Sequence, residues 1–475
     1  MEEVGLVILP APGIGHLIST VELAKRLVKQ KPFSITILMM RFPVPGTDAY
    51  IKSVAASGLD IRFVDLPSIQ FPPFEESQGP ETFVSLFIER HKPLVKDAIT
   101  SISASTKTRF VALIIDLFST TMIDVATELG IPTYLYFTSC AELLALMLYL
   151  PTLHTQIPCE FHEYQGEVEI PGLRPLPPNV MPTPLMNKKT DGYAWFVHHG
   201  RRFRETQGII INTFSELEPT ALEAVTDGRC LPDHATPPIY PVGLLIALGE
   251  NSQSKSTGLI EWLDKQPRAS VVFLCFGSMG TFSPPQVKEI AQGLEKSGER
   301  FLWSLRCRAS EKLSMPVDAD LDQVLPDGFL DRTKGRGLVW PSWVPQAAIL
   351  AHPAVGGFVS HCGWNSVLES LWFGVPILAW PLYAEQRLNA FQLVKDFGLA
   401  VEMKLDFDGH GLVSAEELER GVRCLMEDSE EGMKMRKTVE EKGEVSRNSL
   451  KDGGSSFASL ERLADILIHG SAFPH

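Results

Sequence analysis

A histidine and an aspartate stand at the ends of two predicted strands in the first half of the chain. His16 lies in the loop after the apolar run Val4–Pro10, ahead of a helical pattern over Ile18–Gln30, and Asp116 ends a second apolar run, Val111–Asp116. The carboxyl ends of parallel strands share one edge of a sheet, so we expect both side chains there. An imidazole titrating near neutrality can remove a proton from a hydroxyl. A carboxylate on its Nδ1–H would fix the tautomer and stabilise the imidazolium.

Other interpretations of these residues exist. His16 alone could be a capping or structural residue, and Asp116 alone could cap a helix. Gly13 and Gly15 suggest the dinucleotide-binding turn of an NAD-dependent oxidoreductase, but the third glycine of that fingerprint is missing. A hydrolase triad would need a serine on a G-x-S-x-G turn, and the chain contains no such motif.

The second half carries its densest set of candidate binding residues between positions 343 and 386. Trp343 offers a broad π-face on which a base can stack, and Glu369 can accept hydrogen bonds from two ribose hydroxyls. The run Gly363–Ser366 precedes a helical pattern, and the N-terminus of a helix binds phosphate. The alternatives are a core tryptophan and a zinc site at His361-Cys362. No second Cys/His pair at ligand spacing supports zinc.

The 44-residue segment Trp343–Gln386 resembles the donor-binding signature of plant UDP-dependent glycosyltransferases, the PSPG box. The matching positions are Trp343, Gln346, His352, His361-Cys362-Gly363-Trp364-Asn365-Ser366, Glu369, Gly374-Val375-Pro376, Pro381 and Glu385-Gln386. The His16 loop, the strand end at Asp116, Asn212–Glu218 and Phe276-Gly277-Ser278 follow in the family's order, so the resemblance covers essentially the whole chain. It implies inverting transfer of a sugar from a UDP-sugar to a hydroxyl of a small apolar acceptor. A non-catalytic UDP-sugar sensor would share the box without needing His16 and Asp116.

The resemblance also implies a role for individual residues. His16 would be the base and Asp116 its partner. The UDP-sugar would be bound by Ser278, Trp343, Val344, Gln346, His361, Gly363, Trp364, Asn365, Ser366, Glu369, Tyr383, Glu385, Gln386 and Thr138. The acceptor would contact Gly15, Phe83, Phe87, Phe118, Phe196 and Ala384. We expect no metal and no other cofactor, because donors at the helix start would neutralise the departing UDP.

The same resemblance bears on the substrates. Trp364 with Gln386 is the family's glucose-using pattern, and glutamine rather than histidine at 386 argues against galactose. We therefore expect UDP-glucose as donor and a β-O-glucoside as product. Aromatic residues from Phe71 to Phe87, Phe74 among them, and from Tyr193 to Phe196 predict an apolar acceptor pocket. Flavonoids, phenols, coumarins and terpenoids all fit such a pocket.

Short apolar runs separated by helical stretches must position these residues. Besides the two runs above they are Ser34–Met39, Ile61–Asp65, Thr133–Phe137, Gly208–Asn212, Val271–Phe276, Phe301–Leu305, Gly337–Trp340, Gly357–Ser360, Ile377–Trp380 and Leu399–Met403. Continuously apolar strands alternating with helices are typical of doubly wound parallel sheets, and two series predict two Rossmann-like α/β domains. With the resemblance this is the GT-B fold, two facing domains with the active site in the cleft. We place an acceptor domain at 1–245, a linker at 246–258, a donor domain at 259–455 and a helix at 456–475 that packs back on the first domain.

Length and composition limit the class of protein. The 475 residues exceed what one core usually serves, and 44% apolar with 21% charged residues is ordinary for a globular chain. A net charge of −14 argues against nucleic acid or an anionic membrane as partner, and His198–Arg204 is interpreted as a solvated helix face. Seven scattered cysteines, an acidic start and no long apolar run predict a reduced, cytoplasmic protein. We expect a monomer whose partners are its small-molecule substrates.

Overall fold

The computed structural model describes residues 3–42, 47–71, 79–106, 108–248, 257–309, 315–405 and 411–470. The chain forms two compact units, one of Met1–Ile246 with Asn448–His475 and the other of Ala247–Arg447. Each unit has its own parallel sheet and its own hydrophobic core. In the described part of the chain, no helix combines the length and apolarity needed to cross a bilayer.

The sheet of the first unit has seven parallel strands among the described residues. They are β1 (Glu3–Leu9), β2 (Ser34–Met39), β3 (Ile61–Asp65), β4 (Thr108–Asp116), β5 (Thr133–Phe137), β6 (Ile209–Ile211) and β7 (Ile239–Pro241). Their spatial order is β3-β2-β1-β4-β5-β6-β7. The predicted strands of this half are all present. All but the edge strand β3, which is only partly buried, are apolar runs buried mostly on both faces of the sheet. β7 was missed because a three-residue run next to Pro238 is too short to show a pattern.

The helices of the first unit connect successive strands. They are α1 (Ile14–Gln30), α2 (Thr47–Ala55), α3 (Pro80–Arg90), α4 (Lys92–Thr106), α5 (Met122–Leu129), α6 (Ala141–Gln156), α7 (Asp191–Arg202) and α8 (Pro219–Thr226), with 3₁₀ turns at Phe161–Glu163, Pro178–Val180, Thr183–Leu185 and Phe203–Glu205. α1 begins at Ile14 rather than at the predicted Ile18, so His16 lies in its first turn. Pro12 and two glycines weaken the helical pattern there. Gly13, at φ +143°, makes the turn from β1 into the helix.

The second unit has a six-stranded parallel sheet and a separate hairpin among the described residues. The strands are β8 (Val271–Cys275), β9 (Arg300–Ser304), β10 (Arg306–Cys307), β11 (Val317–Asp318), β12 (Gly337–Trp340), β13 (Val355–Ser360), β14 (Ile377–Ala379) and β15 (Ala400–Glu402). The order is β12-β9-β8-β13-β14-β15, and β10 pairs antiparallel with β11. The two-residue strands of that hairpin carry no detectable period, so the sequence did not predict them.

The helices of the second unit follow the same alternation. They are α9 (Thr257–Leu263), α10 (Pro284–Ser297), α11 (Leu321–Val324), α12 (Phe329–Arg332), α13 (Gln346–Leu350), α14 (Trp364–Phe373), α15 (Gln386–Gln392), α16 (Ala415–Met426) and α17 (Glu430–Ser449), with a π-helical turn at Leu393–Phe397. α14 begins directly after Gly363. The start of this helix therefore lies at the carboxyl end of β13.

The last helix, α18 (Ser455–His469), belongs to the first unit. Its apolar face, with Leu460, Leu463 and Leu467, is part of the core around β1 and α1. Lys31 pairs with Asp465 at 2.7 Å. The contact boundary between the units lies after Arg447, somewhat earlier than the predicted 455. Most of the predicted linker, at 249–256, and the predicted helix end, at 471–475, lie outside the described residues.

Candidate active site

The strand order of the first unit brings His16 and Asp116 together. From β1 the chain moves through β2 to β3 on one side of the sheet, and β4 to β7 continue on the other side. The carboxyl ends of β1 and β4 are therefore neighbours at the point where the winding reverses, which is where doubly wound sheets bind ligands. His16 follows β1 and Asp116 ends β4.

The two side chains form a close, directed pair. His16 Nδ1 lies 2.7 Å from Asp116 Oδ2, and the exposed fractions of the two side chains are 27% and 0%. The other carboxylate oxygen, Oδ1, accepts the backbone N–H of Phe118 at 3.1 Å. An acceptor-only carboxylate requires the proton on Nδ1, so the neutral imidazole has an unprotonated Nε2. A partly exposed imidazole with this tautomer can accept a proton from a hydroxyl.

Three further predicted residues lie around this pair. Thr138, after β5, has its Oγ1 3.4 Å from His16 Nδ1. The ring centroid of Phe118 is 5.9 Å from that of His16. Gly15 precedes His16 in the first turn of α1, and its carbonyl accepts the Ser19 hydroxyl at 3.2 Å. The loops after β1, β4 and β5 thus supply one continuous group of side chains.

The aromatic residues predicted to contact an acceptor differ in exposure. Phe83 and Phe87, on α3, are each 2% exposed, and Phe71, which stacks on both, is 44% exposed. Phe118 packs edge-to-face on Phe196 of α7 at 5.9 Å between centroids. In this cluster the core holds Phe83 and Phe87, while Phe71 reaches the surface. Phe74 lies outside the described residues.

In the second unit the winding reverses between β8 and β13, and most predicted donor-binding residues follow these two strands or the neighbouring β14, while the remaining ones follow the edge strand β12. Ser278 follows β8, the group 361–366 follows β13, Tyr383–Gln386 follow β14, and Trp343, Val344 and Gln346 follow β12. Trp343 is 57% exposed, whereas Val344 is buried. Val344 anchors the segment in the core, while the indole of Trp343 is exposed to solvent and can stack on a ligand.

A hydrogen-bond network fixes the residues expected near the ribose. Gln346 Nε2 donates to Ser366 Oγ and to Glu369 Oε2, each at 2.8 Å. Burial raises the pKa of Glu369 to about 7, although the Gln346 hydrogen bond opposes the shift. The site therefore holds a carboxylate whose charge is poorly solvated until a ligand donates to it.

His361 is tightly enclosed. A Cβ atom at Gly277 or at Gly363 would lie 2.5 Å from its Nε2, so both glycines are needed for the imidazole to fit. Burial lowers the pKa of His361 to about 4, so the ring is neutral. The next residue, Cys362, has φ +62° and Gly363 leads into α14. Trp364 and Ser366 in the first turn are buried, and Asn365 is partly buried.

The loop before α15 is braced by Gln386. Its Oε1 accepts the backbone N–H groups of Leu382 and Tyr383 at 2.9 and 3.0 Å, so its Nε2 is the end that can donate. Ala384 lies in this loop at φ +54°, and Glu385 immediately precedes α15. The ring of Tyr383 lies 6.4 Å from that of His361.

Sequence reasoning missed the burial of one stretch and the contact of one arginine. The interpretation of His198–Arg204 as a solvated helix face was wrong in part, since His199 on α7 and Phe203 in the 3₁₀ turn that follows are buried. Arg306 Nη2 donates to the Gly277 carbonyl at 2.6 Å; its position directly after a predicted strand was the available signal. For His352 the sequence left two roles open, in the binding signature or in shaping its loop; it bonds Asp264 at 3.1 Å and the Ala354 N–H at 3.2 Å, which agrees with loop shaping.

The described residues contain no group of three or more His, Cys, Asp or Glu side chains placed to hold a metal ion. Asp318, Asp320 and Asp322 have D-x-D spacing in the sequence, but they do not form such a group either. All seven cysteines are free thiols.

Comparison with known proteins places the chain in a family. The family model described as UDP-glucoronosyl and UDP-glucosyl transferase matches residues 232–439. UDP-glycosyltransferase 71K2 of Pyrus communis is 47% identical, with 100% of each chain covered. Malvidin galactosylase UGT88C3 of Oryza sativa subsp. japonica is 44% identical, with 98% of each chain covered. Among solved structures, Medicago truncatula UGT71G1 complexed with UDP-glucose matches with a TM-score of 0.86 and 43% identity over 98% of each chain. The predicted GT-B fold class is thereby confirmed, and this chain belongs to the UDP-glycosyltransferase family and is a glycosyltransferase.

Proposed function

We propose that this enzyme transfers glucose from UDP-glucose to a hydroxyl of a small, flat, apolar metabolite, with inversion, to give a β-O-glucoside. The observation that carries the proposal is the His16–Asp116 pair, 2.7 Å between Nδ1 and Oδ2, at the sheet edge of the first unit. It supplies the base that an inverting transfer to a hydroxyl requires.

In the proposed step His16 Nε2 takes the proton of the acceptor hydroxyl while the hydroxyl oxygen attacks the anomeric carbon. The bond from that carbon to the UDP oxygen breaks, and UDP leaves with the electron pair. Asp116 holds the imidazole in the required tautomer and stabilises the imidazolium that forms. A single displacement of an α-linked sugar gives the β-linked product.

The second unit supplies the groups for the departing UDP. Trp343 stacks on uracil, Glu369 accepts from the ribose hydroxyls, and the first turn of α14 receives the diphosphate. His361, Asn365 and Ser278 add side-chain donors near that turn. Because these groups offset the charge that develops on UDP, we expect transfer to continue in EDTA.

For the sugar itself we assign Glu385 and the Nε2 end of Gln386 to the hydroxyls, with Thr138 near the outer ones. The structure of Medicago truncatula UGT71G1 contains UDP-glucose, whereas the rice relative is named a galactosylase. Relatives thus differ in the sugar that they bind or transfer, so the identity of the donor sugar needs its own test. Glutamine at 386 favours glucose.

For the acceptor we assign an apolar wall of Phe118, which lies beside His16, and Phe196, which packs edge-to-face on Phe118. Flat phenolic compounds suit such a wall because aromatic rings pack well edge-to-face. The rice relative's acceptor, malvidin, is a compound of this kind.

The test is a product assay with UDP-glucose and UDP-galactose against flavonoids, simple phenols, coumarins and terpenoids. We expect a β-glucoside, identified by mass and by the anomeric proton coupling, and we expect glucose to be preferred. A galactoside as the main product would refute the donor assignment, and an α-linked product would refute inversion. His16→Ala should abolish transfer and leave UDP binding intact; unchanged turnover would reject the base.

A further inference from the structure

His199 is a buried histidine that joins three elements of the first unit. It is 1% exposed and lies on α7. Its Nε2 is 3.1 Å from Ser85 Oγ on α3, and its Nδ1 is 2.7 Å from Thr120 Oγ1 in the turn after β4. Both ring nitrogens are therefore used, and each binds a different element.

The hydrogen-bond partners determine the tautomer of this imidazole. Ser85 has one hydroxyl hydrogen, which it donates to the Glu81 carbonyl at 2.9 Å, so its oxygen must accept from His199 Nε2–H. His199 Nδ1 then accepts the Thr120 hydroxyl. Burial lowers the pKa of His199 to about 3, which agrees with a neutral ring. A neutral, fully bonded imidazole has a structural rather than a proton-transfer role.

The three joined elements are the ones that carry the predicted acceptor-side aromatics. Phe83 and Phe87 lie on α3, Phe118 lies between Asp116 and Thr120, and Phe196 lies on α7. One imidazole thus links α7 to the turn that carries Phe118 and to α3, whose Phe83 and Phe87 belong to the core.

Phe118 connects this imidazole to the base. Its ring lies edge-to-face on His199, with 5.9 Å between centroids, and on the other side its centroid is 5.9 Å from that of His16. Trp195 also stacks on the His199 ring, with 5.4 Å between centroids. A displacement of His199 would therefore reach Phe118 first and the neighbourhood of His16 next.

We infer that His199 is a positioning residue for the acceptor: it holds Phe118 and α7 in the place that fits a flat, multi-ring acceptor beside His16. This inference rests on the proposed function. It predicts that loss of the two hydrogen bonds changes which acceptors are used while donor binding is unaffected.

The test compares His199→Phe, which keeps an aromatic ring but makes neither hydrogen bond, with His154→Phe as a matched control. His154 of α6 likewise bonds α7, through the Tyr193 hydroxyl at 3.0 Å, and its ring lies against Tyr193 instead of Phe118. We expect His199→Phe to lower kcat/KM for a flavonoid by about ten- to a hundredfold, since a displaced wall of about 1 Å can have that effect. A single-ring phenol should be much less affected, and UDP affinity by calorimetry should not change.

Two more measurements make the outcome decisive. Thr120→Val removes one bond with little change of shape, so it should shift the acceptor preference in the same direction and by less. Equilibrium dialysis of both acceptors without donor reports the preference even if no turnover occurs. The inference is overturned if His199→Phe or Thr120→Val leaves the acceptor ranking of the wild type, or if the control shifts it equally. Absence of any glycoside from the wild type would instead count against the proposed function.

Discussion

Replacement of Asp116 by asparagine tests the catalytic pair with almost no change of shape. Asp116 Oδ1 accepts the Phe118 N–H at 3.1 Å, so the amide oxygen of the asparagine should occupy that place. Its NH₂ group then faces His16 Nδ1, where the carboxylate oxygen was 2.7 Å away. An NH₂ donor requires Nδ1 to accept, which moves the ring proton to Nε2 and removes the base.

The expected fall in kcat follows from the lost charge interaction, and the cost of flipping the asparagine amide decides whether the base can be restored. An imidazolium and a carboxylate about 4 Å apart attract by about 4 kcal/mol at an effective dielectric constant of about 20, which is about a thousandfold in rate. The reversed amide orientation, which would restore the correct tautomer, places NH₂ against the Phe118 N–H. That loss of a hydrogen bond to a buried group costs about 1–3 kcal/mol. We expect kcat to fall by about 10³–10⁴.

The assay is the initial rate of glycoside formation at saturating donor, followed by mass spectrometry. Calorimetry with UDP serves as control, since Asp116 belongs to the first unit and UDP binding is assigned to residues of the second. A variant within about tenfold of the wild-type rate would refute the reasoning, as would an equal loss of UDP affinity.

Three further predictions concern the donor side. Burial raises the pKa of Glu369 to about 7, and only the ionised carboxylate accepts hydrogen bonds from both ribose hydroxyls. UDP affinity should therefore rise as the pH increases through that value. In calorimetry, Glu369→Gln should bind UDP more weakly and should lack this dependence on pH. Trp343→Ala should weaken UDP binding by about 1–3 kcal/mol, because the indole would no longer stack on uracil. The melting temperature should stay the same, because the indole is 57% exposed, and a drop would indicate a role in the core. Arg306→Gln releases the Gly277 carbonyl beside Ser278, which we assign to the diphosphate, and should weaken UDP binding by about tenfold while the affinity for uridine stays unchanged. An equal loss of uridine affinity would contradict this.

The fold was predictable because most strands inside the two sheets are buried on both faces. Such strands, Ser34–Met39 and Thr133–Phe137 among them, must be continuously apolar, and the sequence shows this directly. The hairpin of β10 and β11 and the three-residue β7 were not predictable, since pairing rather than pattern defines them. The start of α1 was placed too late because turn residues at a helix N-terminus resemble a loop.

In the candidate site, too, some residues could be predicted from the sequence and others could not. His16 and Asp116 could be predicted to meet because strand order determines which carboxyl ends are neighbours. The position of Arg306 at a strand end could be predicted, but its partner and those of His199 could not, because Thr120, Ser85 and the Gly277 carbonyl are distant in sequence and chemically ordinary. A histidine among basic residues on an amphipathic helix gives no indication of which face it occupies.

The return of α18 to the first core affects how chimeric enzymes should be assembled from this chain and a relative. If a crossover at residue 246 replaced everything that follows, a foreign helix would have to fit against Leu23 and Leu27 with its own versions of Leu460 and Leu463. Mismatched side chains there would open cavities, and each deleted leucine-sized contact costs about 2–5 kcal/mol. Grafting only residues 247–447, as an insert with two junctions, exchanges the donor-binding unit and keeps the original helix in its original packing.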